Sequence, residues 1–190
     1  MWAQEAIFYL WDVWFASWFL AALWADRSTR RPGMGSQLLH WGITLAGLFL
    51  LLGIPSREPD GPGRVWSLGG RLGWAPFAVA AAGLAFTWWA RLHLGRLWSG
   101  SVSRKADHRI VDSGPYGLVR HPIYTGLIVA TSATAVLRGT VVALAGAALI
   151  ALGFWIKARL EERFLRQELG ADAYDAYRRR VPMLVPFGPL

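Results

Sequence analysis

The chain has 190 residues, a formal net charge of +8, 12 Trp and no Cys. It is 54% hydrophobic and 17% charged, with a mean hydropathy of +0.31; a soluble domain carries about 25% charged residues. The lack of Cys excludes disulfides and thiolate metal sites, and the length permits one domain. The basic excess reads as arginines at the mouths of membrane helices rather than as a nucleic-acid surface.

A bilayer core is crossed by about 20 apolar residues in a helix, and five segments approach that. The first, Trp2 to Trp24, carries Trp11, Trp14 and Trp18 at helical spacing, a packing or interface stripe. It lacks the basic start of a signal peptide. The second runs from Leu38 to Ile54. Pro55, Pro59, Gly61, Pro62 and Gly63 then make Ile54 to Gly73 an irregular loop. The third runs from Trp74 to about Trp98. The fourth, Pro122 to Leu137, is short. Arg138-Gly139-Thr140 joins it in a tight hairpin to the fifth, which starts near Thr140 and passes Trp155. Beyond Trp155, Leu160, Phe164, Leu165 and Leu169 recur among charges, so the last helix continues out of the membrane with one apolar face. Gly170 predicts a C-cap, Asp172 the cap of a short helix through Tyr177, and Pro182 and Pro186 the end of regular structure.

Orientation follows from Lys and Arg. Arg27, Arg30 and Arg31 lie in the first loop, Arg96, Arg104, Lys105, Arg109 and Arg120 in the third, and seven more from Lys157 to Arg180 in the tail. The other side has Arg57, Arg64, Arg71 and Arg138. The positive-inside rule then puts the N-terminus outside and the C-terminus in the cytoplasm, as a multi-pass protein of the cell membrane. The third loop and the tail share the cytoplasmic face.

The polar residues able to carry chemistry lie in those two places. Between Asp107 and Gly126, Gly114-Pro115 makes a turn and Pro122 takes the first helical position, which leaves His121 near the N-cap. A helix start beside Arg120 is a natural anion site. A plain membrane-edge helix start accounts for the same residues. In the second stretch, Glu161 and Glu162 follow directly on a span. One reading is surface pairing, Lys157 with Glu161 and Glu162 with Arg166, at i,i+4 spacing. The other is a carboxylate at the bilayer edge that holds a cation. Together, roofed by Tyr116, Tyr124, Tyr174 and Tyr177, the two stretches suit a zwitterionic, amino-acid-like ligand, and S-adenosylmethionine is one. No phosphate-cradling G-x-G-x-x-G or G-x-x-x-x-G-K-[ST] occurs, and no H-x-x-x-H spacing supports a metal. Asp12 lies mid-span, where an acid is costly; Arg91, His93 or water are its candidate partners.

S-G-P-Y-x-x-V-R-H-P-x-Y-x-G, the downstream Glu pair, L-G-x-x-x-Y-x-x-Y and the final R-V-P-x-L-x-P-F resemble the isoprenylcysteine carboxyl methyltransferases and their bacterial relatives. The resemblance covers roughly Leu94 to Phe187 and includes L-G-R-L-W-S at Leu94 to Ser99. It implies an all-α, polytopic membrane helix bundle of about five transmembrane helices. In that reading 1–93 hold the N-terminal membrane helices, and 94–190 hold a membrane hairpin and a cytoplasmic cofactor-binding region, as one integrated domain. It implies S-adenosylmethionine as cofactor, with His108, Arg109, Ile110, Val111 and Tyr116 lining its pocket. By the same resemblance His121, Pro122, Ile123 and Tyr124 hold its methionine end or adenosine, and Glu162 contacts it with support from Glu161. Two positions depart from the pattern. Gly117 stands where many relatives have Arg, and Ala158 stands where relatives place an Arg for the substrate carboxylate. Arg159, one residue on, is the substitute assigned to acceptor binding.

The expected partners are a lipid-like or prenylated small-molecule acceptor, such as a prenylcysteine carboxylate, and membrane lipids, with neither nucleic acid nor metal. An acceptor carboxylate needs no general base, and positioning alone can contribute roughly 7–11 kcal/mol. A phospholipid amine acceptor is the alternative within methyltransferases and needs a base. A sterol-type membrane reductase using NADPH shares R-H-P-x-Y, but the adjacent glutamates repel a polyanionic cofactor. A scaffold or transporter would instead show polar residues along several spans.

Overall fold

The computed structural model describes residues 3–23, 34–53, 63–95 and 110–188. Helix α1 is Ala3–Ala22, and α2 is Met34–Leu48, which runs on into a π-helical turn, Phe49–Gly53. A 3-10 turn, Gly70–Gly73, leads into α3, Trp74–Leu94. A single turn, α4 (Pro115–Leu118), precedes α5 (Pro122–Arg138), α6 (Val141–Leu169) and α7 (Ala171–Arg178). The protein is thus all-helical among the described residues, and each of the five apolar segments forms a helix. The third ends at Leu94, closed by Gly95 at φ +56, four residues before the expected end.

The α5–α6 hairpin forms as its sequence predicts. Gly139 closes α5 in the left-handed conformation at φ +63, and Thr140 caps α6 by accepting a hydrogen bond from the Ala143 amide at 3.1 Å. The preceding loop is ordered where it meets this turn: Val65 N–H donates to Gly139 O at 2.7 Å and Val141 N–H to Gly63 O at 3.1 Å. At the other end of α6, Gly170 at φ +93 both ends that helix and caps α7. Asp172 therefore does not cap α7. It lies in the first turn, where its charge still favours the helix N-terminus.

Close packing rests on two glycine pairs. A Cβ on Gly126 of α5 would lie 2.5 Å from Gly83 O, and one on Gly83 of α3 would lie 2.7 Å from Gly126 O. Gly47 of α2 and Gly146 of α6 approach each other in the same way, 2.7 Å in both directions. Small residues let backbones meet where no aqueous hydrophobic force acts between helices. The tryptophan stripe of α1 is packing surface. Trp11 Nε1 donates to Thr134 Oγ1 at 3.0 Å and Trp14 Nε1 to Thr87 Oγ1 at 2.9 Å, which ties α1 to α5 and α3. Asp12 is exposed on the outer side of α1. Arg91 donates to Ala21 O at 2.8 Å and Gly95 O at 2.7 Å.

Among the described residues two helical stretches are long and apolar enough to cross a membrane, Gly70–Leu94 and Val141–Leu169. With its 29 residues, α6 is about 43 Å long at 1.5 Å per residue, whereas a bilayer core measures about 30 Å. Its C-terminal third therefore extends beyond such a core and carries the charged residues toward α7.

Candidate active site

Residues 120–122 begin the site. Arg120 and His121 lie in the short connection between α4 and α5, and their amides donate to Pro182 O at 2.9 Å and Met183 O at 3.1 Å. Thr125 Oγ1 donates to Leu184 O at 2.6 Å. The segment after α7 is thus laid along the start of α5. This explains why the prolines at 182 and 186, which stop helix, still leave an ordered chain.

Arg120 joins three elements. Its Nε donates to Glu162 Oε1 of α6 at 2.7 Å, and its Nη1 donates to Arg178 O at 3.1 Å and to Val181 O. Both side chains of the ion pair are buried, at 3% and 5% exposure. Arg178 Nε lies 3.5 Å from the other Glu162 oxygen. The expected surface pair of Glu162 with Arg166 does not form: Glu162 is turned inward, and Arg166 makes a bidentate pair with Asp175 of α7 at 2.8–3.0 Å.

His121 sits between the two glutamates, with Nδ1 3.5 Å from Glu161 Oε2 and Nε2 3.4 Å from Glu162 Oε1. Burial alone would lower its pKa, but the hydrogen bonds and charges of Glu161 and Glu162 outweigh it, and the net shift is upward. The Tyr124 hydroxyl donates to Glu161 Oε1 at 2.6 Å, and its ring stacks on His121 at 5.4 Å and on Phe154 at 5.1 Å. Tyr177 Oη donates to Tyr116 O at 2.7 Å. Burial raises the pKa of the Tyr116 and Tyr174 phenols, so both stay neutral donors.

These groups open onto a cavity of about 520 Å³. Its polar end is lined by Ile110, Val111, Tyr116, Arg120, His121, Pro122, Ile123, Tyr124, Glu161, Tyr174 and Tyr177. The cavity continues past Lys157 and Phe154 to Trp11, Trp14, Trp18, His40 and Trp41 of α1 and α2. From α6 it takes one helical stripe, Ile150, Phe154, Lys157, Glu161, Phe164 and Leu165.

The structure therefore brings together nine of the residues singled out from sequence: Ile110, Val111, Tyr116, His121, Pro122, Ile123, Tyr124, Glu161 and Glu162. Glu161 is on the cavity wall, and Glu162 is buried behind it, paired with Arg120. Arg159 is elsewhere. It is exposed and lies over the Trp155 ring at 5.3 Å, off the cavity lining. His108 and Arg109 lie outside the described residues. Sequence reasoning missed Lys157, His40 and Trp41 as wall residues. The signal for Lys157 was its i,i+4 relation to Glu161, which puts both on one face.

A helical bundle with two helices of membrane-crossing length among the described residues, around a mostly apolar cavity that holds Arg120, Lys157 and Glu161, is the class that this fold and site define. The family description that matches is "Isoprenylcysteine carboxyl methyltransferase (ICMT) family", over residues 75–167, from the start of α3 into the last turns of α6. Among curated proteins, the chain is 33% identical over 111 residues to a protein-S-isoprenylcysteine O-methyltransferase B of Arabidopsis thaliana, covering 58% of this chain and 51% of the relative. It is 33% identical over 103 residues to the protein-S-isoprenylcysteine O-methyltransferase of Schizosaccharomyces pombe, covering 53% and 43%. It is 47% identical over 75 residues to a methanethiol S-methyltransferase 2 of Bradyrhizobium diazoefficiens, covering 37% and 26%. Residues 75–167 thus resemble the isoprenylcysteine carboxyl methyltransferase family. The chain spans about half the length, or less, of the curated relatives it matches.

Proposed function

We propose that the chain is an integral membrane methyltransferase that uses S-adenosylmethionine and methylates a lipid-like acceptor, a prenylcysteine carboxylate being the leading candidate. The observation that carries this reading is the cavity itself: a carboxylate, an imidazole and tyrosines at one end, and tryptophans at the other. The relatives' names, two protein-S-isoprenylcysteine O-methyltransferases and a methanethiol S-methyltransferase, support methyl transfer.

The residues present fit the cofactor. Glu161 offers a carboxylate on the wall to an ammonium or sulfonium. Tyr116, Tyr174 and Tyr177 offer faces and hydroxyls to an adenosine. The amides of Ile123 and Tyr124 precede the first hydrogen bond of α5, Thr125 N–H to His121 O, and such groups attract a carboxylate. Bound there, S-adenosylmethionine supplies an electrophilic methyl on a sulfonium. The protein's part is to orient and to exclude water. Tyr124 and His121 hold the Glu161 carboxylate in place, and Arg120 with Glu162 locks the start of α5 to α6 and to the C-terminal segment.

In this proposal five helices, α1, α2, α3, α5 and α6, cross the bilayer, with the C-terminus in the cytoplasm. Outward-facing apolar side chains along them support it: Val13 is 68% exposed, Phe19 74%, Leu45 56%, Leu92 63% and Leu152 44%. Calorimetric titration of detergent-purified protein with S-adenosylhomocysteine, and in parallel with NADPH, tests the cofactor. Saturable binding of the first alone is expected. Binding of NADPH alone would replace this reading with the reductase.

A further inference from the structure

We infer that the outer groove between α5 and α6 binds one anionic phospholipid, with an acyl chain in the groove and the phosphate on Arg159; the inference goes beyond methyl transfer and rests only on the membrane placement of these two helices. The groove has a volume of about 600 Å³ and shares no lining residue with the central cavity. It uses the other faces of the same helices. Leu127 and Phe154 line the cavity, whereas Ile128, Val129, Leu152 and Trp155 line the groove. Its third wall is the C-terminal segment, through Leu184 and Val185. Thr125 is the one hydroxyl side chain among the groove residues, and it already donates to Leu184 O at 2.6 Å. The other lining side chains are aliphatic apart from Trp155. Such walls suit a hydrocarbon chain and disfavour a peptide, whose backbone groups would go unpaired there.

The mouth of the groove supplies the charge. Leu152, Trp155, Arg159 and Arg163 follow one another along the outer face of α6 at spacings of three and four, and all four are exposed. From the apolar part of the helix outward, this is the order of hydrocarbon, interface and headgroup layers. The Arg159 guanidinium lies 5.3 Å from the Trp155 ring centroid. An aromatic face holds a guanidinium in place and leaves its edge, a planar fork of donors, to meet a phosphate. Glu162, three residues on, is turned inward to Arg120 at 2.7 Å and does not offset the charge of this face. Past the third wall the chain turns back, with Gly188 N–H donating to Val185 O at 2.9 Å, and presents Phe187 at 97% exposure. Exposed aromatic and basic side chains together mark a surface at headgroup depth. Phosphatidylglycerol offers both an acyl chain and a net negative headgroup. Phosphatidylcholine offers the chain, but its choline brings a cation against Arg159 and Arg163.

Native mass spectrometry of the full chain, delipidated in detergent and given equimolar dioleoyl phosphatidylglycerol and dioleoyl phosphatidylcholine, tests this. The parent should retain one phosphatidylglycerol, at least about fivefold over phosphatidylcholine. R159Q should lower phosphatidylglycerol retention about fivefold, and R159K should fall between the two. R71Q removes another exposed arginine, at the hairpin end of the bundle, and should match the parent. V129W adds bulk to the groove from an exposed position and should lower retention of both lipids at least about tenfold. Arg159 is a surface residue, so R159Q decides the matter even where V129W lowers the melting temperature. Equal retention of the two lipids by the parent, parent-like retention in R159Q, an equal loss in R71Q, or undiminished retention in a folded V129W would overturn the inference. So would a second copy of the chain in place of the lipid. Lipid selectivity without S-adenosylhomocysteine binding would sink the methyltransferase reading and leave this inference standing. A parent that stays in solution without detergent would sink the membrane placement and this inference with it.

Discussion

Replacing Arg120 with Met removes a side chain that ties α6, α7 and the C-terminal segment to the start of α5. Glu162 is then left buried, with His121 Nε2 3.4 Å from one oxygen and the Arg178 guanidinium, 37% exposed, 3.5 Å from the other. Breaking a buried ion pair from one side costs about 3–5 kcal/mol, and partial compensation by Arg178 places this loss near 3 kcal/mol. For a chain of this size each kcal/mol moves Tm by about 2–4 °C, so the expected drop is about 6–12 °C. Glu162→Gln alone should cost less, because Arg120 keeps two carbonyl acceptors. The double variant should recover part of the loss, since the uncompensated charge is gone, with a coupling of about 1–3 kcal/mol. Thermal unfolding of the four proteins in one detergent measures this. Single-variant losses that add within about 0.5 kcal/mol would refute the pairing as the source of the stability.

Gly126→Ala should cost about 1–3 kcal/mol by the same melt, because its Cβ would press on Gly83 O and on Thr87 Cγ2 at 2.6 Å; Gly69→Ala, with nothing within 4 Å, should be neutral. His121 has a folded pKa raised above its ordinary value, so its contribution to stability is complete below about pH 6.5 and is lost as pH rises through the folded pKa. Melting temperature against pH should show that decline in the parent, and His121→Gln should flatten it. Tyr124→Phe keeps the stacking on His121 and Phe154 but removes the bond to Glu161, a loss of about 1.5–3 kcal/mol for a charged acceptor, read by the same unfolding assay.

The helices were legible because apolar runs of bilayer length leave few alternatives, and Pro122, Gly139 and Gly170 mark their ends by backbone chemistry that needs no partner. The carboxylates and the R-H-P segment were singled out through the resemblance of their motifs, since local chemistry alone fitted a plain helix start equally well. What they do to one another was not. The Arg120–Glu162 pair joins residues 42 apart in sequence, and the closer i,i+4 partner Arg166 was the natural choice until α7 supplied Asp175. Lys157 and Arg159 flank Ala158 symmetrically in sequence. Only the rotation of α6, about 100° per residue, decides which faces the cavity. The far wall of the cavity comes from α1 and α2, which carry no recognisable motif. A wall of Trp and His needs only bulk and an apolar surface, so many sequences satisfy it.

Methyl transfer at the α5–α6 end of the cavity is the reaction proposed for this protein. The measurement that meets it most directly is transfer of labelled methyl from S-adenosylmethionine to an N-acylated S-prenylcysteine by protein in proteoliposomes, beside Glu161→Gln. Labelled methyl ester is expected from the parent, and at least about a tenfold loss in the variant. No transfer by the parent to carboxylate or thiol acceptors, or undiminished transfer by the variant, would contradict it.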